Sequence, residues 1–348
     1  RSSGYEIDER HDRVIAWIAG RNLEEDQLNA TTVRLEAVRA ADDISDRIIV
    51  GEANTALKKY SRSMLLDYML FGQNPLLSSL PVEDSVEWVK HQQYLIRPGT
   101  PIWTTIQTEP SALLLDQWRR ITGNEQAVLE TSEQAVTLDH MRMAVRAALA
   151  SGCRGILFES NSPLVKAAGS SDRYRVAALE LVNLELEMME PWIAAGRYDG
   201  PASCSEPGIK AFVMSTDRAR LVVPYVSDPY AQYAVGRAAA DSVSIVVPGV
   251  PEDYETYLWT PGSMRPLKTE RTAGGVRATV EQFTPSTLIV MSQNPLILHN
   301  ITKQSYVRGQ QAAALRMELT RLRLDKVRTV LSQLPREALP SNPSPEQY

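Results

Sequence analysis

The chain has 348 residues, about two domains on the usual scale of roughly 100–200 residues each, and its 43% hydrophobic and 23% charged content is ordinary for a folded globular chain. Its 37 basic and 42 acidic residues give a formal net charge of −5 with no basic cluster dense enough to track phosphates, which argues against nucleic acid as a partner. No apolar run approaches the ~20 residues that span a bilayer, and two cysteines, Cys153 and Cys204, supply neither a disulfide framework nor a thiolate metal site.

The opening "RSSGYEIDER" lacks an initiator Met and the charged-then-apolar pattern of a signal peptide, so the chain is expected to begin within a longer protein. Residues 8 to 41 read as helices. "DERHDRVIAWIAG" places Val14, Ile15, Trp17 and Ile18 on an apolar stripe, and "LEEDQLNATTVRLEAVRAAD" continues it through Leu28, Val33, Leu35 and Val38. "RIIVGEAN" then reads as a short buried strand emptying into a polar loop, and "SMLLDYMLFG" as a second. "VEDSVEWVKHQQYLI" has helical spacing at Val82, Val86 and Val89. It leads into "RPGTPIWTTIQTEP", a strand from Ile102 to Ile106 that stops on Gln107, Thr108 and Glu109. A long helical region closes on "LDHMRMAVRAALASG", with Gly152 as its stop, and "CRGILFESNSPL" supplies a fourth strand. "RYRVAALELVNLELEMMEPWIAAG" is a further amphipathic helix ending near Gly196. Strands alternating with helices at this spacing predict parallel βαβ units.

After "RYDGPASCSEPG" the period changes from 3.6 to two. "IKAFVMST", "ARLVVPYV", "SVSIVVPG", "ETYLWTPG", "GVRATVEQF" and "STLIVMSQ", parted by Pro, Gly and Asp, predict an antiparallel β-sandwich, with "TAGGVRA" as a hairpin turn. A long helix follows, with a candidate seam of Leu315, Leu319, Leu322, Val327, Val330 and Leu334 that packs on its own domains or on another copy or partner chain. The expected division is 1–200 (β/α) portion, 205–302 sandwich, 303–334 helix and 335–348 Pro/Ser-rich tail.

The order of "PIWTTIQTEPS", a helix, "MAVRAALASGCRGILFES", a long helix and a β-domain resembles the last strands of (β/α)₈ glycoside hydrolases of the β-galactosidase type. "RPGTPIWTTIQTEP", "GCRGILFES", "LELVNLELEMMEPWIAAG", "VVPGVPE" and "RTAGGVRATV" are similar to planctomycete proteins that carry such a barrel. The resemblance implies an α/β TIM-type barrel whose C-terminal half lies in this chain as strands five to eight. It also implies a carbohydrate substrate or ligand, no cofactor and an extracytoplasmic setting.

Barrel chemistry gathers at the carboxyl ends of strands, so the candidate mouth comprises Glu52, Asn54, Gln73, Asn74, Gln107, Thr108, Glu109, Glu159, Ser160 and Asn161. Glycoside hydrolysis needs two carboxyl groups, one to protonate the leaving oxygen and one as nucleophile or base. Glu159, with Glu52 or Glu109, is the candidate pair. The resemblance puts the nucleophile five residues after Pro101, where Ile106 stands, and the acid upstream of the chain. A second enumeration makes "RIIVGEAN" strand four, so that Glu52 and Glu159 take the acid and nucleophile positions and "IKAFVMST" becomes strand eight. Against these roles stand simpler ones: Glu159 paired with Arg154 or Arg173, Glu52 as a loop carboxylate, Glu109 as a charge near a helix N-terminus. Trp17, Trp88, Trp103, Trp118 and Trp192 read as core. Trp259, beside Tyr254 and Tyr257, reads as either a sugar platform or packing. His11, His91, His140 and His299 share no ligand spacing, and no Gly-x-Ser-x-Gly elbow occurs. The two functional classes left are a glycosidase-like hydrolase and a non-catalytic carbohydrate-binding or assembly protein.

Overall fold

The computed structural model describes residues 7, 11–42, 46–53, 55–123, 136–164, 169–233 and 240–333, the side chains of Trp118, Thr122, Val330 and Gln333 excepted. Asn54 and Leu334 therefore lie outside the described residues.

The first layer runs β1 (Ala16–Ile18), α1 (Leu28–Ala41), β2 (Ile48–Gly51), α2 (Leu57–Ser63), β3 (Tyr68–Gly72), α3 (Val82–Gln93), β4 (Ile102–Gln107), α4 (Ala112–Thr122), α5 (Leu138–Ala150), β5 (Gly155–Glu159) and α6 (Ser170–Ala195). Its five strands form one sheet in the order β1-β2-β3-β4-β5, every pair parallel. The four strands expected from the sequence are therefore neighbours in chain order and empty toward the same end.

The helix expected across "RVIAWIAG" is instead the edge strand β1, with Ala16 opposite Ile48 and Ile18 opposite Val50. An apolar run this short fits both periods, and aromatic Trp17 and β-branched Ile18 favour the pleat. The helical stripe of α1 is also narrower than its apolar residues suggest, since Leu35 is buried and Val33 is exposed.

The helices of this layer pack through apolar positions such as Val82, Val86 and Val89 of α3, and Trp88 meets Phe71 of β3 edge-on at 5.7 Å. Every residue of α5 except Asp139 is buried. Helix α5 lies between two sheets, against β4 on one side and β8 (Ala219–Val226) on the other. Its Ala144, Ala147, Ala148 and Ala150 let both approach closely. Gly152, just past its end, adopts φ 91°, a conformation open to glycine.

The second layer is antiparallel. β6 (Arg197–Cys204), β7 (Ile209–Ser215), β8, β9 (Ala240–Val247), β10 (Glu255–Thr260), β11 (Ser263–Pro266), β12 (Thr269–Thr272), β13 (Gly275–Phe283) and β14 (Leu288–Ser292) join in the order β11-β10-β14-β8-β7-β6-β9-β13-β12. Where the sequence predicts two facing sheets, hydrogen bonding makes one network. β6 pairs with β7 through its first part and with β9 through Ser203 and Cys204, with a register shift between Tyr198 and Gly200. β14 is buried along its whole length, and β7 and β8 at all but one position each, whereas β9 and β13 tend to alternate buried and open positions. "TAGGVRA" forms the β12–β13 hairpin, Thr272 opposite Gly275.

"IKAFVMST" is β7 of this antiparallel sheet, so the enumeration that made it a barrel strand does not hold. Trp259 is fully buried, donates to Ser305 Oγ at 2.6 Å and lies 5.8 Å from Trp192, which makes it packing between layers.

Helix α7 (Pro295–Gln333) closes the described chain and packs along α6. The seam expected on it divides. Leu319 and Leu322 are buried and Leu315 partly so, whereas Val327 is 52% exposed. Among the described residues no helix is long and apolar enough to cross a membrane.

Candidate functional site

Paired residues of neighbouring strands share a face, and the face alternates along each strand. Val50 pairs with Tyr68, Gly72 with Thr105, Thr105 with Leu157, and Gln107 with Glu159. Tyr68, Gly72, Thr105, Gln107 and Glu159 therefore lie on one face, with Val50 beside them. Glu52 continues that face one residue past β2, because its N–H still pairs with Gly20 O at 3.0 Å. A Cβ on Gly72 would stand 2.8 Å from Thr105 Oγ1 and 3.5 and 3.6 Å from the Glu52 carboxylate oxygens. The absent side chain of Gly72 is thus what lets buried Glu52 lie across β3 toward β4.

This face is concave. Arg21, three residues past β1, forms an ion pair with Glu159 at the end of β5, although those strands are the two edges of the sheet. The loop bearing Arg21 stays fastened beside β2, Ala19 N–H to Val50 O at 2.8 Å and Leu23 N–H to Glu52 O at 2.8 Å. Four strand spacings on a flat sheet separate its edges by roughly 19 Å, farther than an Arg and a Glu side chain reach together, so the sheet must curl. Arg21 is 48% exposed and Glu159 19%, so the pair sits at the rim of the concavity.

The polar tip of β4 fastens the exits of its neighbours. Gln107 is buried and donates through Nε2 to Leu76 O and Glu109 O, both at 3.2 Å, which ties down the loop after β3. Thr108, also buried, gives both its N–H, at 3.0 Å, and its hydroxyl, at 2.8 Å, to Glu159 O. Glu109 forms an ion pair with Arg175 of α6 and accepts from Ser160 Oγ, Asn161 N, Ser162 N and Ser162 Oγ. Burial lowers the pKa of Arg175. Its Nη1 also reaches Ser162 Oγ at 2.6 Å and its Nη2 Asp172 at 3.2 Å, so one arginine locks three segments.

Of the expected mouth residues, Glu52, Gln107 and Glu159 are brought to one face and one end. Thr108, Glu109, Ser160 and Asn161 are bound into the β4–β5 junction. Gln73 is half-buried and Asn74 exposed on the loop after β3. The Oε1 atoms of Gln73 and Gln107 are buried without a hydrogen-bond partner. Both residues line a cavity of about 30 Å³ shared with Ala144, Ala147 and Ser151 of the α5 side, room for a water molecule and not for a sugar. A larger cleft of about 460 Å³ lies on the opposite face, between Ile156 and Phe158 of β5 and Leu186 and Ile193 of α6.

The partner of Glu159 is not one of the two arginines the sequence suggests. Arg154 donates to Trp192 O, Ile193 O and Gly196 O, and Arg173 pairs with Glu318. Arg21 takes that role instead, and Glu109, expected only as a charge near a helix N-terminus, pairs with Arg175. Reading the β1 region as a strand is the signal that would have placed Arg21 at a strand exit.

No family model matches the chain, and no curated protein matches it by sequence. Solved structures similar to it include a maltogenic α-amylase, AmyB, from Thermotoga neapolitana, at 7% identity and a TM-score of 0.42, covering 74% of this chain and 57% of that one. A GH30 endoxylanase from Clostridium papyrosolvens C71 matches at 10% identity and 0.37, covering 74% and 58%, and an α-amylase from H. orenii at 9% and 0.40, covering 78% and 58%. The chain thus spans less than two thirds of the length of each.

Proposed function

We propose that the chain is a carbohydrate-binding protein on a glycoside hydrolase-like scaffold, holding a polysaccharide or glycoconjugate at the concave mouth without hydrolysing it. The observation that carries this reading is the ion pair between Arg21 and Glu159 across the curl. A carboxylate beside a guanidinium is held ionised, so Glu159 is unsuited to protonate a leaving oxygen. Glu109 is constrained in the same way by Arg175 and by the hydroxyl and amide donors around it. Hydrolysis needs a protonated carboxyl group beside an ionised one, and neither arginine-paired carboxylate is placed to be the protonated one.

The rim pair of Arg21 and Glu159 offers a donor and an acceptor that a polyol matches. The resemblance of the strand sequences to β-galactosidase-type hydrolases supports a sugar as ligand. On this reading the five parallel strands are part of a (β/α)₈ barrel that further strands close, and the antiparallel layer is its sandwich, with β6 changing partner from β7 to β9 between Ala202 and Ser203. A second reading, a hydrolase using Glu159 with Glu52, draws on their common face and end.

The test measures retention of the protein on immobilised polysaccharides beside release of reducing ends and of aryl aglycones. The expected outcome is retention without release, with Glu159→Gln and Arg21→Ala each weakening retention by about tenfold, the equivalent of ~1.4 kcal/mol. Turnover that Glu159→Gln abolishes would establish the second reading instead. Failure to retain any glycan would remove carbohydrate from the assignment.

A further inference from the structure

We infer that the outer face of α7 is a docking surface for an acidic amphipathic helix of a partner protein. This inference is independent of the proposed sugar site. Helix α7 turns Ile301, Ser305, Ala312, Leu319 and Leu322 inward, where all are buried. Its opposite face carries a second regular set at 306, 310, 313, 317, 320, 324, 327 and 331, alternating steps of four and three. That is the spacing of a coiled-coil seam. Tyr306 is 76% exposed, Met317 75%, Leu324 47%, Val327 52% and Leu331 45%, so the seam faces solvent along the helix.

The charge beside the seam selects the occupant. At 3.6 residues per turn, exposed Arg321 and Arg328 flank it on one side, whereas on the other Arg323 is held against Tyr174 of α6 and Arg316 reaches toward the buried Arg142 and Glu185. From 313 to 333 the only acidic residues are Glu318, which pairs with Arg173, and Asp325, which lies 3.7 Å from Arg328. A chain of net charge −5 therefore concentrates a basic rim on this face. In an antiparallel pair with a second copy, Arg321 and Arg328 would meet their own counterparts, like to like. A helix with apolar a and d positions and Glu or Asp at e and g meets the seam and the rim together. Polar Gln310 and Thr320 within the seam, and its narrowness, favour a helix over a membrane surface, which takes a broader apolar face.

Two labelled four-heptad peptides, both with Leu at a and d, one with Glu and one with Lys at e and g, are titrated against the full chain by fluorescence anisotropy. The Glu peptide is expected to bind at least about tenfold more tightly than the Lys peptide, with the gap narrowing as salt is raised. The exposed double variant L324D/L331D loses binding while keeping its circular dichroism, and R321E/R328E reverses the preference between the peptides. Equal binding of both peptides, binding unchanged in L324D/L331D, a stable dimer in sedimentation, or preference for anionic phosphatidylserine vesicles over the Glu peptide would each overturn the inference.

Discussion

Cys153 is 1% exposed, with Sγ 3.4 Å from Ser151 Oγ, and burial pushes its thiol up to about 12 against the hydrogen bond that favours the thiolate. The folded chain thus keeps this proton where the unfolded chain, titrating near 9, gives it up. Stability from this group is complete below pH 9 and declines as pH rises from 9 toward 12, at about 1.4 kcal/mol per pH unit. Cys204, half-buried, is pushed up to about 11 and acts in the same direction, more weakly because solvent screens it. Urea unfolding at pH 8 and pH 10 checks this. The native chain is expected to lose about 1–2 kcal/mol over that interval, and Cys153→Ala should lose clearly less. A pH dependence identical in both would assign the decline to other groups. The same logic of local partners governs the mouth, where Glu109 and Glu159 each face an arginine from a distant segment, so neither can be understood from its flanking residues.

Helix α6 ends against β5 through one residue. Arg154, at the entry to β5, donates to Trp192 O at 3.2 Å, which also accepts from Gly196 N–H, and to Ile193 O and Gly196 O at 2.7 Å, placing a cation at the negative end of the helix dipole. Arg154→Ala is expected to destabilise by about 1–3 kcal/mol and to raise amide exchange in the last turn of α6. Arg154→Lys should recover only part, because an ammonium cannot span three carbonyls as a planar fork does. Unchanged exchange in Arg154→Ala would show that the helix end is held by packing alone. At this scale the sequence was most readable. Runs such as Ile48–Val50 and Ile102–Ile106 between amphipathic helices marked parallel strands and their exits, because burial on both faces favours apolar and β-branched residues without polar alternation. β1 was not readable, being three residues at an edge with Ile18 half-exposed, where neither period has room to declare itself. Which arginine meets which carboxylate was not readable either. The Arg21–Glu159 pair depends on the curl of a whole sheet, and curvature leaves no local pattern.

The two layers share α5, and a buried charge group runs through it. Arg142 donates to both carboxylate oxygens of Glu185, at 2.6 to 3.1 Å, and to Asp139 at 3.0 Å. Burial opposes its charge, but the field and hydrogen bonds of Glu185 outweigh that and hold its pKa above the usual value. One turn on, Arg146 donates to Pro224 O at 2.9 Å and Thr287 O at 2.8 Å in the antiparallel layer. Burial pulls Arg146 down to about 10 despite the attraction of Glu185, and Arg142 adds repulsion. One carboxylate on α6 thus steadies two guanidinium groups on α5 that face different layers. Removing its charge leaves both arginines buried beside each other, a change that costs about 3–5 kcal/mol where a buried pair is broken. Because α5 is packed by both sheets, that cost falls on the parallel and antiparallel layers together. Calorimetry of the native chain is expected to show one transition with matching calorimetric and van't Hoff enthalpies, and Glu185→Gln to move that single transition to lower temperature without dividing it. Two transitions in the native chain, or a shift confined to one of them, would mean that α5 belongs energetically to one layer and that the other is merely docked upon it.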